Sequence, residues 1–292
     1  MYLYFILAFK MNKYLQLIRV HQWYKNLVVF LALFFSENLL IGSLVGQTIL
    51  AFISISFISS SGYILNDLLD MKQDAIHPDK KHRPLAAGKI SNVVAVVITL
   101  ILFLAGILLA VSLGRYFTIA TIVLLVISSL YTFILKKILL ADVLTIALLF
   151  VIRAIAGALA IDVEISPWLI LVPFFLSLFL SIGKRHADLL LLKDKAKHTR
   201  EVLEHYTLEF TNSMMTISTT LLIISYALYS SLSPHKNLIY STPFALFTIL
   251  RFYYLISSGS EIARKPERVI KDWPMVIGIV LWLISAVVLI YG

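Results

Sequence analysis

The sequence predicts an all-α protein, a polytopic membrane bundle of about nine transmembrane helices. Three observations carry that expectation. Apolar runs recur along the chain, and several reach the roughly 18 to 20 residues that span a bilayer. Charged residues make up 14% of the chain and its mean hydropathy is +0.92, whereas a soluble domain carries about 25% charged residues. Finally, the cations gather in alternate loops.

The spans are expected at roughly 27–44, 47–65, 90–112, 116–135, 140–160, 167–183, 208–232, 239–257 and 274–291. They form one transmembrane domain over residues 1–292. Glu37 and Asn38 interrupt the first span, and the segment 12–25 reads as an interfacial lead-in helix. MYLYFILAFK at the start is apolar. It lacks a basic n-region and a small-residue cleavage site, so it is not read as a signal peptide. Gly157 beside Ala154 and Ala158 suggests close helix packing. Arg153 falls mid-span, where a charge is a functional candidate by default. Asp142 lies about 16 Å from it along a single helix, so pairing the two requires helices that cross.

With these spans, 21 of the 25 Lys and Arg fall in one set of loops, against Arg115 and Lys236 opposite. The cation-rich side is expected in the cytoplasm, with the N-terminus inside and the C-terminus outside the plasma membrane. Attraction to anionic lipids accounts for the net charge of +9, so membrane lipids are expected partners and nucleic acid is not. The chain has no cysteine, which excludes disulfides, thiolate metal sites and cysteine nucleophiles.

Lipid attraction does not explain aspartates among the lysines. In NDLLDMKQDAIHPDKKHRPLAAG, from Asn66 to Gly88, Asp67, Asp70 and Asp74 are spaced i, i+3, i+7. If the second span continues as a helix they share one face, and like charges so placed repel unless a cation sits among them. A hard divalent cation with oxygen ligands suits them. Mg²⁺ takes one or two carboxylates and completes its shell with water and substrate phosphates. Asp67, Asp70 and Asp74 are therefore the expected metal ligands and catalytic centre, with Mn²⁺ as the substitute for Mg²⁺. Pro78 and Pro84 shape the loop that follows. Lys80 and Arg83 are candidates to meet phosphate oxygens, Arg bidentately. His77 and His82 read as loop-ordering residues, since Mg²⁺ does not favour imidazole.

At these residues the sequence resembles the UbiA superfamily of intramembrane prenyltransferases, whose first signature is N-D-x-x-D-x-x-x-D. The resemblance implies an all-helical bundle with a central cavity open toward the membrane, Mg²⁺ and a diphosphate substrate. Aromatic prenyltransferases of that superfamily carry a second aspartate-rich motif after the sixth span. Here that position reads GKRHADLLLLKD, with Lys184, Arg185, Asp188 and Asp194. The departure is similar to one branch, the decaprenyl-phosphate phosphoribosyltransferases of arabinan precursor synthesis. RVHQWYKN at Arg19–Asn26, HPDKKHRPLAAG, FVIRAIAGALA at 150–160 and GKRHADL at 183–189 also resemble that branch.

That resemblance implies 5-phosphoribosyl diphosphate as donor and a polyprenyl phosphate as acceptor, for a cell-envelope glycan precursor. The acceptor is already an anion and needs no general base, so the reaction depends on positioning and charge stabilisation. Lys184 and Arg185 are expected to bind phosphate. Lys25 and Lys136, each beside a span mouth, are further substrate candidates, as is Tyr131 for a substrate oxygen. Asn66 is placed to meet a ribose hydroxyl or to orient an aspartate. The alternative is a UbiA-type transferase moving a prenyl group from prenyl diphosphate to an aromatic or glycerol-phosphate acceptor. A transporter fits less well, since the charge sits at span mouths and not at the midplane.

Overall fold

In the computed structural model of the protein the described residues are 12–76, 80–192, 201–264 and 266–292. His77, Pro78, Asp194 and the first ten residues lie outside them. The described residues form helices and no strands. Among the described residues eight helical stretches are long and apolar enough to cross a membrane: α1 Gly42–Leu69, α2 Asn92–Ser112, α3 Arg115–Phe133, α4 Ala141–Ala160, α5 Pro167–Leu192, α6 Leu208–Leu232, α7 Thr242–Ser257 with the 3₁₀ turn before it from Asn237, and α8 Trp273–Tyr291. They satisfy their backbone groups internally, as a lipid environment demands. In α2 only 17% of the span is buried, at a mean hydropathy of 3.1. Most of its apolar side chains face outward, as expected of a helix solvated by lipid.

The expected first span is not one long helix. A 3₁₀ segment, Val20–Val29, leads into the short helix Phe30–Phe35. Glu37, at φ +60, then turns the chain before α1. Two other helices run further than expected. The second expected span extends to Leu69, bringing Asp67 onto its last turn, and the sixth extends to Leu192, so Lys184, Arg185 and Asp188 sit on the helix itself.

The chain divides into two compact units. The first holds residues up to Leu33, Asn38–Thr132 and Ile155–Val163; the second holds Phe34–Glu37, Phe133–Ala154 and Glu164–Gly292. In the first unit α1 packs on α2 through Gly106. A Cβ there would lie 2.8 Å from Ile58 and 3.2 Å from the Ser54 carbonyl. Ser54 Oγ also donates to the Gly106 carbonyl at 2.8 Å. Gly157 makes the close approach its neighbours suggested, because a Cβ there would run into the Val29 carbonyl.

A 3₁₀ run of ten residues is long for that conformation, and tertiary anchors hold it. Trp23 Nε1 donates to Ser60 Oγ at 3.0 Å, Ser60 Oγ donates to the Ile18 carbonyl at 2.7 Å, and Asn26 Nδ2 donates to Ser56 Oγ at 3.0 Å. Trp23 also meets Phe52 and Phe57 edge-on. Ser56, Ser60, Tyr63 and Asp67 share one face of α1, and the lead-in lies along it.

In the second unit α5 packs on α6, with Gly183 against the Ile256 side chain of α7. Phe179, Ile182, Met215 and Phe252 form a buried apolar core there. Thr207 caps α6, its hydroxyl accepting from Phe210 N at 3.1 Å. Asp272 caps α8 by accepting from Met275 N at 3.0 Å.

Candidate active site

In the first unit the helical bond ladder runs on past the end of α1. Asp70 N donates to the Asn66 carbonyl at 2.9 Å and Asp74 N to the Asp70 carbonyl at 2.8 Å. Asp67 and Asp74, two helical turns apart, therefore stay on one face, and both are buried, at 3% and 2% exposure. One atom joins them. Arg83 Nη1 lies 2.9 Å from Asp67 Oδ1 and 2.6 Å from Asp74 Oδ2. Arg83 directly follows the short turn Lys80–His82, its N donating to the Lys80 carbonyl at 2.9 Å, and the loop is closed by Ala87 N on the Arg83 carbonyl and by Gly88 at φ +66. The apolar foot of that loop, Leu85, is buried with Leu17, Ile64 and Ile90.

Arg19 Nη2 reaches the same Asp67 Oδ1 at 2.5 Å, and its guanidinium lies over the Tyr63 ring at 5.0 Å. Arg19 takes the left-handed conformation, φ 53, where the chain turns from the helix Lys13–Leu17 into the 3₁₀ segment. Lys80 Nζ is 3.6 Å from Asp74 Oδ1. Asp70 does not join the pair; it accepts from Asn66 Nδ2 at 3.1 Å. The expected trio is thus a buried pair plus an outlier, because Asp70 is the helix cap residue, at ψ 0, where the helical geometry breaks.

The second unit carries a parallel arrangement. Arg185 Nε donates to Asp142 Oδ2 at 2.8 Å, with side-chain exposures of 1% and 0%. Tyr206 donates to Asp142 Oδ1 at 2.7 Å and accepts from Leu140 N at 3.3 Å. Burial and the bond to Asp142 hold the Tyr206 phenol well above the ordinary tyrosine range. Asp188 is engaged by Arg264 Nε at 2.6 Å. His186 Nδ1 lies 2.9 Å from Thr211 Oγ1. Thr211 Oγ1 also lies 2.8 Å from the Thr207 carbonyl and 3.1 Å from the Leu208 carbonyl.

The expected site residues therefore divide between the units. Lys25, Asn66, Asp67, Asp70, Asp74, Lys80, Arg83 and Tyr131 belong to the first, and Lys136, Lys184 and Arg185 to the second. Lys25 Nζ donates to Gln22 Oε1 at 3.3 Å, and Tyr131, Lys136 and Lys184 are half-buried. Arg185, expected to bind phosphate, is enclosed and held by Asp142. Asp142 itself pairs with Arg185 and not with Arg153, which donates to the Leu149 carbonyl at 2.8 Å. Sequence reasoning assigned no role to Arg19, Tyr206 or Arg264. Arg19 stands within the RVHQWYKN block, the one signal that pointed to it. A pairing 48 residues away has no spacing signature.

The donor set suits a hard divalent cation. Two buried carboxylates already converge on one cationic nitrogen, and Mg²⁺ needs no more than one or two such ligands. Among the described residues no three His, Asp or Glu side chains gather into a cage.

The fold and these clusters define an integral membrane protein of all-helical architecture, with its buried ion pairs gathered at helix ends. Residues 26–261 match the model of the UbiA prenyltransferase family. The chain belongs to that family and is an enzyme of the transferase class. It is 30% identical over 281 residues to the decaprenyl-phosphate phosphoribosyltransferase of Mycolicibacterium smegmatis, covering 91% of this chain and 88% of that protein. Its identity to the enzyme of that name from Mycobacterium tuberculosis is 29% over 255 residues, covering 86% and 84%. A UbiA homologue from Archaeoglobus fulgidus, solved bound to GPP and Mg²⁺, shares the fold with a TM-score of 0.72 at 20% identity, over 96% of this chain and all of that one.

Proposed function

We propose that the protein transfers the 5-phosphoribosyl group from 5-phosphoribosyl diphosphate to a polyprenyl phosphate, releasing diphosphate, at the cytoplasmic face of the plasma membrane. The observation that carries this reading is the similarity to phosphoribosyltransferases along 91% of the chain. The second unit supports it. Its acidic position, Asp188, is engaged by Arg264, so the carboxylate nearest the place of a second aspartate-rich motif already has a fixed counter-ion. The product serves as a precursor for a cell-envelope glycan.

Asp67 and Asp74 would hold Mg²⁺, which when bound supplies charge neutralisation at the departing diphosphate. Arg83 and Lys80, beside those carboxylates, bind phosphate oxygens. Arg19 orients Asp67 through the same Oδ1 that Arg83 meets, and Asn66 orients Asp70. Lys184 offers its ammonium to a phosphate, while Arg185, locked to Asp142, fixes that stretch of α5. Lys25, Lys136 and Tyr131 are assigned to substrate oxygens. The bond from the anomeric carbon to diphosphate breaks, and a bond from that carbon to a polyprenyl phosphate oxygen forms. The acceptor oxygen carries no proton to remove, so no side chain acts as a base.

The test is transfer of radiolabel from 5-phosphoribosyl diphosphate into the organic phase by purified protein with Mg²⁺ and polyprenyl phosphate. Label made by the wild type and lost with Asp67→Asn is the expected result. No transfer, with product instead from a prenyl diphosphate and an aromatic or glycerol-phosphate acceptor, would overturn the reading.

A further inference from the structure

Arg83 Nη1 stands between two carboxylates that belong to different turns of the same helical stretch. Its distances, 2.9 Å to Asp67 and 2.6 Å to Asp74, are those of charge-assisted hydrogen bonds. A cation bridging Asp67 Oδ1 and Asp74 Oδ2 would need the same place, since its ligand oxygens must approach still closer. The two arginines on Asp67 are not equivalent. Arg19 is 16% exposed, lies over Tyr63, and follows a backbone carbonyl pinned by Ser60. Arg83 is 26% exposed and projects from a short surface turn. If one guanidinium leaves, it is Arg83.

We propose that Arg83 competes with the divalent cation for the bridging position between Asp67 and Asp74, and that an incoming diphosphate draws the guanidinium away and opens it. Cation and diphosphate then bind synergistically. Exchange of a monovalent guanidinium for a divalent ion raises the local charge by one unit at the moment a polyanion arrives, while Arg19 continues to hold Asp67. By linkage the coupling is reciprocal, each ligand tightening the other by the same factor. The proposal rests on the reading of the substrate as a diphosphate, but its first test needs no substrate.

The experiment titrates Mn²⁺ into purified full-length protein and reads free Mn²⁺ by its paramagnetic resonance signal. Arg83→Ala and Arg83→Gln should each bind Mn²⁺ roughly 10-fold tighter than wild type, within the usual range of coupling factors. Lys81→Ala removes a neighbouring charge that touches neither aspartate and should change the affinity less than about 2-fold. Asp67→Asn in the Arg83→Gln background should abolish the gain. Inorganic pyrophosphate should then enhance Mn²⁺ affinity several-fold more in wild type than in Arg83→Gln; direct coordination of the metal by phosphate is common to both and cancels. Arg83 variants that bind Mn²⁺ no tighter than wild type would overturn the proposal, as would an equal gain from Lys81→Ala. Equal pyrophosphate enhancement in wild type and Arg83→Gln would overturn it too, and the wild-type enhancement alone, if below about 3-fold, decides the matter even if the variants misfold. A protein that passes these tests but does not use 5-phosphoribosyl diphosphate would refute the substrate reading and leave this one standing.

Discussion

Asp142→Ala removes the carboxylate that neutralises Arg185, in a setting where the two side chains are 0% and 1% exposed. Removing one partner of a buried pair costs about 3–5 kcal/mol, because a charge stays in a low-dielectric site without its counter-ion. Tyr206 loses its acceptor in the same step. For a unit of this size each kcal/mol moves Tm by about 2–4 °C, so Asp142→Ala should melt lower by about 6–20 °C. Tyr206→Phe keeps the ring and removes the 2.7 Å bond to the carboxylate, at about 1.5–3 kcal/mol for a hydrogen bond to a charged group, together with the weaker 3.3 Å acceptor contact to Leu140 N. It should therefore fall between wild type and Asp142→Ala. The double variant Asp142→Leu/Arg185→Met takes out both charges and should recover most of the loss, since apolar replacement of a whole buried pair is often neutral. The assay is thermal unfolding of detergent-purified protein, read as the monodisperse fraction on size exclusion after heating. A Tm for Asp142→Ala within about 2 °C of wild type would refute the argument. So would a double variant no better than the single one.

Other substitutions have expected outcomes of their own. Gly157→Ala forces a methyl group onto the Val29 carbonyl; backbone cannot rotate away as a side chain can, so destabilisation of at least about 1–3 kcal/mol should appear in the same melting assay. Lys184→Ala should raise KM for the proposed 5-phosphoribosyl diphosphate about 10- to 100-fold, the value of one charge-assisted contact; an unchanged KM would remove Lys184 from the site. Arg251 donates from Nε and Nη2 to the two oxygens of Asp272, at 3.1 and 2.8 Å, and holds that carboxyl below the ordinary carboxylate pKa. The stability this adds is fully present above the unfolded value near 3.8 and is lost as pH falls through the lower folded value. Asp272→Asn should accordingly flatten the acid limb of the stability profile, and an unaltered acid limb would count against the pair.

The helices were legible because a membrane span is a compositional event. About twenty apolar residues in a row need no partner to be recognised, and all eight long helices lie where such runs are. The failure at 27–44 has a local cause. Trp23 and Asn26 find partners on α1, so the backbone before Phe30 winds as a 3₁₀ segment, and Glu37 then adopts a conformation no span tolerates. The Asp67–Asp74 face was legible for the same kind of reason, a spacing of seven on one helical stretch. Arg19, Arg185 and Arg264 were not. Arg19 meets a carboxylate 48 residues away, Arg185 one 43 away and Arg264 one 76 away. Helical periodicity is silent at such distances.

Those three pairs also change what the excess of cations means. A positive-inside count treats every Lys and Arg in the cation-rich loops as charge offered to lipid or substrate. In the folded chain Arg19 and Arg83 hold Asp67, Arg83 also holds Asp74, Arg185 holds Asp142, Arg251 holds Asp272, and Arg264 holds Asp188. Each of these aspartates is 10% exposed or less, and each is met by a guanidinium, whose planar donors suit enclosed carboxylates better than an ammonium does. Of these arginines Arg83 meets two carboxylates through one nitrogen, while each of the others meets a single one. Its departure would take a counter-ion from two carboxylates at once, with Arg19 still on Asp67 and Lys80 3.6 Å from Asp74. Substrate-dependent charge in this fold is therefore expected to change at the Asp67–Asp74 pair before it changes at any other helix end.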